Sequence, residues 1–95
     1  MNNENIKYIK KMLELISNYE DGKISLNDMH YNLMGLFELM DVSDKPFNFI
    51  TMFHKHWDYI EEIIAVNSVD QYCSIIKNKI LLGLKEQLKE YVAEL

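Results

Sequence analysis

The sequence predicts an all-α fold, a compact antiparallel four-helix bundle forming one domain over residues 1–95. Three observations predict it. Apolar residues recur at steps of three and four along nearly the whole chain, the period of an amphipathic helix. Three glycines and one proline are too few turn residues for an all-β chain, which needs a turn every ten residues or so. The 95 residues, 48% apolar and 12% aromatic, suffice for one hydrophobic core and rule against disorder.

The first helix is expected over residues 3–21, where Ile6, Ile9, Met12, Leu13, Ile16 and Tyr19 keep the period. It stops at "EDGK", where Gly22 can take the left-handed conformation that closes a helix. Ser25 is a good N-cap for a second helix over 25–40, with Asp28 at its positive end. Ile24 and Met29 are spaced as a hydrophobic staple. Leu26, Met29, Leu33, Leu36, Phe37 and Met40 form its apolar stripe. The segment "DVSDKP" (41–46) reads as a stop followed by a restart near Pro46.

The third helix is expected over 46–66, with its stripe at Phe49, Ile50, Phe53, Trp57, Ile60 and Ile64. Asn67 can end it, and Ser68 with Gln71 makes a capping box for a fourth helix over 68–94. That helix carries Tyr72, Ile76, Ile80, Leu84, Leu88, Tyr91 and Leu95 on one face, and its Gly83 marks a close helix crossing. Tyr8, Leu15, Tyr31 and Leu81 are left outside these stripes. Short connections favour antiparallel neighbours.

Charge narrows the function. The net charge of −5 argues against direct binding of nucleic acid, whose phosphates want a basic surface. Residues 1–23 and 68–95 are each balanced, four lysines against four acids. Residues 24–67 hold seven acids against Lys45 and Lys55, so the whole excess sits mid-chain. There is no arginine, hence no bidentate fork for phosphate. The longest apolar run, Ile80 to Leu84, is far short of the ~20 residues of a membrane span. "MNNENIKYIKK" lacks the apolar segment of a secretory signal. The lone Cys73 forms no internal disulfide and reads as a small buried hydrophobe. The cytoplasm is the expected compartment, with no membrane partner.

The stretch "FHKHWDYIEEII" (53–64) concentrates two histidines, a tryptophan and three carboxylates. On a helix His54 and His56 point about 200° apart, so one metal cannot take both. His54 and Asp58 supply two ligands where a zinc site wants three or four. No Glu-x-x-His pair, nucleophile elbow or phosphate loop is present. The expectation is therefore no metal, no cofactor and no enzyme. Trp57, Met12, Met29 and Met40 follow the core period and are read as core. The carboxylates are read as a protein-binding strip: Glu38, Asp41 and Asp44 from the second helix and its loop, and Asp58, Glu61 and Glu62 from the third. His54 and Tyr59 flank them. Such a strip suits steering onto a basic partner.

The capped turn "YEDGKISLNDM" (19–29), leading into a leucine-rich helix, resembles small helical bacterial immunity proteins. So does the acidic loop before "FHKHWDYIEEIIA" (53–65). The likeness is to the immunity partners of colicin D-like and contact-dependent growth-inhibition toxins. It covers about residues 10–90, and Gly22-Lys23-Ile24-Ser25 and Trp57 with Ile60-Glu61 are its nearest points. It implies a cytoplasmic antidote that binds the C-terminal nuclease domain of a toxin, often one that cleaves tRNA, in a 1:1 complex. Two readings from other classes stay open. One is a helical adaptor, regulator or nucleic-acid mimic with no toxin partner; the other is a bundle that dimerises through Tyr8, Leu15, Tyr31 and Leu81.

Overall fold

A computed structural model describes residues 2–65 and 79–93, apart from the side chain of Val42. The described chain forms four α-helices: α1 (Asn3–Glu20), α2 (Leu26–Leu39), α3 (Phe47–Ala65) and α4 (Leu81–Ala93), with a single 3-10 turn at Val42–Asp44. Each helix packs on the next and α4 returns to α1, which closes a four-helix bundle. Cross-helix contacts fix the directions. Asn5 in the first turn of α1 meets Asp41 just past α2. Phe49 early in α3 meets Tyr91 late in α4, and Glu20 at the end of α1 meets Lys85 early in α4. Neighbours therefore run antiparallel, as short connections require.

The helix ends follow local chemistry. Asn2 caps α1, its side-chain oxygen accepting from the Asn5 N–H at 2.8 Å. At the other end Gly22 has φ +77°. The Lys23 N–H reaches the Asn18 carbonyl at 2.8 Å and the Gly22 N–H reaches Tyr19 at 3.0 Å. That pair of bonds is a Schellman motif, which satisfies the last carbonyls of α1. Ser25 caps α2 as its sequence predicts, accepting from the Asp28 N–H at 3.1 Å. Ile24 packs on the core to which the buried Met29 belongs. Past α2, the Lys45 ammonium donates to the Phe37 carbonyl at 3.2 Å and lies 4.1 Å from the centre of its ring. A cation is favoured at that negative helix end.

The core takes Ile6, Ile9, Met12, Ile16 and Tyr19 from α1 and Leu26, Met29, Leu33, Phe37 and Met40 from around α2. Phe49, Phe53 and Ile60 of α3 and Leu81, Leu84 and Leu88 of α4 complete it. Leu13, Leu36, Ile50, Trp57, Ile64, Ile80 and Tyr91 are only partly buried at its edge. Leu81, left outside the stripes by sequence, is fully buried. Lys79 and Ile80 are π-wound and regular α4 starts at Leu81. Counted from there, Leu81, Leu84 and Leu88 fall on one face at i, i+3, i+7. Tyr8 and Leu15 also pack on the core, whereas Tyr31 is exposed. The crossing expected at Gly83 is present: a Cβ there would lie 3.2 Å from Nε2 of His56. The capping box at Ser68 and Gln71, the stop at Asn67, and Tyr72, Cys73, Ile76 and Leu95 lie outside the described residues, as does the expected start of the fourth helix.

Candidate functional site

The candidate face is carried by α3 and the adjoining side of α2. At about 100° per residue, His54, Asp58 and Glu61 fall within about 60° of one another on α3. All three are exposed. The orientation of that face follows from two contacts. His54 meets the Phe37 ring edge-on, with centroids 5.1 Å apart, and Trp57 stacks on His30 at 4.0 Å and 17°. The strip therefore looks out beside α2. Glu38 follows Phe37 and is exposed on α2, about 80° round that helix from His30 on the outward side. Glu62 is exposed one position beyond Glu61. Among the described residues the one ion pair is Lys85 with Glu20, at 3.0 Å. Glu38, Asp58, Glu61 and Glu62 thus present carboxylates with neither an ion pair nor a hydrogen bond within the described chain.

Asp41 and Asp44 stand differently. The Asp41 carboxylate accepts from the Ser43 backbone N–H at 3.0 Å and the Ser43 hydroxyl at 2.8 Å. The Asp44 carboxylate accepts from the backbone N–H of Asn2. Both carboxylates are engaged in shaping the 41–46 loop and fastening it to α1. Tyr59 lies about 140° round α3 from His54 and is 47% exposed. The eight sequence-predicted residues therefore fall into three sets. Glu38, His54, Asp58 and Glu61 share the α2/α3 face with Glu62 at its outer margin, Asp41 and Asp44 form a loop staple at its end, and Tyr59 sits on another flank.

Two residues the sequence reading passed over organise this region. Asn5 is fully buried at 0% exposure, the sole polar residue in the core among those described. Its Oδ1 accepts from the Asp41 N–H at 2.8 Å, and its Nδ2 donates to the Asp41 and Asp44 carbonyls at 3.3 and 3.5 Å. Asn5 stands four residues before Ile9 and one before Ile6, a polar residue in an apolar stripe, which is the signal that could have found it. His30 is the second. The Trp57 indole N–H donates to the His30 carbonyl at 3.0 Å, so Trp57 is half-buried and ties α3 to α2 rather than filling the core. The His30 Nε2 is buried without a hydrogen-bond partner. Burial lowers the His30 pKa from 6.5, opposed by the nearby negative charge of Glu61, by a backbone hydrogen bond with Trp57 and by the negative charge of Asp58. His30 and Trp57 thus form an aromatic floor behind the strip, within the field of two of its carboxylates.

His54 and His56 diverge as helix geometry requires. His56 is half-buried on the α4 side, its Nδ1–H donating to the Met52 carbonyl at 2.9 Å. Among the described residues no three His, Cys, Asp or Glu side chains come together as a metal site. No described helix is long and apolar enough to cross a membrane. Comparison with family models, with curated proteins and with solved structures gives no match in any of the three.

Proposed function

We propose that this protein is an immunity protein that docks a basic nuclease toxin domain on the acidic face of α2 and α3.

 The single observation that carries this reading is the set of four exposed carboxylates, Glu38, Asp58, Glu61 and Glu62, without ion-pair partners among the described residues. The mid-chain acidic excess supports it, as does the likeness of "YEDGKISLNDM" and "FHKHWDYIEEIIA" to small bacterial immunity proteins. A nuclease groove is basic because it must hold phosphates, and a row of carboxylates on a stiff helix can occupy it in their place. Opposite fields speed encounter toward ~10⁸–10⁹ M⁻¹s⁻¹ at low salt. Such speed suits an antidote, because each toxin molecule left free goes on cleaving RNA.

The test is kinetic. The candidate partner is the basic nuclease domain encoded beside this gene, if one is found there. Reversing Asp58, Glu61 and Glu62 to lysine should slow its association, remove most of the salt dependence and relieve inhibition of RNA cleavage. The helical circular dichroism should stay unchanged, because all three side chains are exposed. A reversed variant that associates and inhibits like the natural protein would show that the carboxylates are only a solvated surface.

A further inference from the structure

We propose that the outer groove between α1 and α2 is a homodimer interface, where Gly35 lets α2 of one copy lie directly against α2 of another. The inference stands apart from the acidic face, since it concerns the other flank of α2.

Gly35 is the starting point. It lies inside α2 and is exposed, where glycine weakens a helix relative to alanine. Neither usual reason for glycine applies among the described residues. Among the described residues the positive-φ glycine is Gly22, not Gly35. A Cβ built on Gly35 would meet nothing within 4 Å. Gly83 differs, because there the His56 imidazole occupies the space. At Gly35 the space is empty and opens into a groove of about 460 Å³, lined by Leu15, Leu36 and Leu39 with Lys11 and Glu14 on the α1 side. Leu39 is 64% exposed there. A missing Cβ beside an uncovered leucine fits close approach by another helix.

The charges that line the groove fit a second copy as the occupant. Two chains of net charge −5 repel one another overall, most strongly where α2 and α3 carry their carboxylates, so copies can meet only on a balanced surface. The groove is balanced, Lys11 against Glu14. These two residues are one turn apart on α1 and level with the Asn32–Gly35 turn of the antiparallel α2. A two-fold axis between them sets Lys11 of each copy opposite Glu14 of the other, the self-complementarity that an isologous dimer needs.

Sedimentation velocity on the full chain, from low micromolar to submillimolar, tests this directly. The expected result is a shift from 11.3 kDa toward twice that mass. Leu39→Lys and Gly35→Ala should each raise the dissociation constant at least roughly ten-fold, about 1.4 kcal/mol, while circular dichroism shows both folded. Gly35→Ala should melt no lower than the natural protein at low concentration, separating lost association from lost folding. Lys11→Glu alone should weaken the dimer, and adding Glu14→Lys should restore it. A monomer across the whole range overturns the proposal. So does a dimer indifferent to Gly35→Ala and Leu39→Lys.

Discussion

Replacing Asn5 by alanine probes the contact that sets the loop between α2 and α3. The side chain has no solvent exposure and makes one short hydrogen bond, from the Asp41 N–H at 2.8 Å. Its two donor contacts, at 3.3 and 3.5 Å, are near the limit of useful geometry. The short bond contributes about 1 kcal/mol, and the long ones together a few tenths. Alanine also leaves the Asp41 N–H without its acceptor, at about 1 kcal/mol where water can partly reach it. The expected loss is about 2 kcal/mol, or about 10 °C in Tm for a chain of this size. Thermal melts followed by circular dichroism read it. Asn5→Leu, close in volume but without hydrogen bonds, should be similarly destabilised. If Asn5→Ala melts within about 2 °C of the natural protein, or Asn5→Leu matches it, the amide does not hold the loop.

Three further outcomes follow from the same geometry. Burial lowers the His30 pKa below 6.5, so the unfolded chain binds that proton more readily. Its contribution is therefore intact above pH 6.5 and is lost as pH falls from there toward the folded-state value. Denaturation midpoints across pH 8 to 5 should show that fall, and His30→Phe should flatten it; equal slopes in both proteins would contradict the assignment. Gly83→Ala gains about 1 kcal/mol of helix propensity but sets its Cβ 3.2 Å from Nε2 of His56, whose ring is anchored to the Met52 carbonyl. It should destabilise the natural protein and stabilise a His56→Ala background, as equilibrium unfolding in a double-mutant cycle would show. Trp57→Ala, which removes both the His30 stack and the indole hydrogen bond, should cost about 3 kcal/mol in urea unfolding. A Trp57→Ala protein that unfolds like the natural one but no longer binds would make Trp57 a contact residue instead.

The bundle was legible because its signals are local. The 3.6-residue stripe, Ser25, Gly22 and the Asp-Ser-Pro loop each act within a few residues: α1 and α2 start and stop, and α3 starts, within about two residues of the expected places. Gly83 also spoke correctly, since a glycine inside a helix asks for a neighbour. What escaped depends on which helix lies opposite. Trp57 fits the core period, yet it sits at the α2/α3 edge, where its indole finds the His30 carbonyl. Leu81 falls outside the stripe that runs through Ile80, because Ile80 belongs to a π-wound step and regular α4 begins after it. The acids separate for a similar reason: sequence supplies their charge, but only the fold shows that Asp41 and Asp44 are tied to Ser43 and Asn2 while Glu38, Asp58 and Glu61 are not. Tyr59 fell off the strip by simple helix rotation.

The central claim, that the α2/α3 carboxylates bind a basic protein, is tested most directly by a pull-down from the native cell at low and high salt. The natural protein and the Asp58, Glu61, Glu62 lysine variant serve as paired baits, with mass spectrometry of what each retains. The account predicts one basic protein on the natural bait, reduced but not lost at high salt, and absent from the variant. The same proteins on both baits, or no specific partner on either, would contradict it.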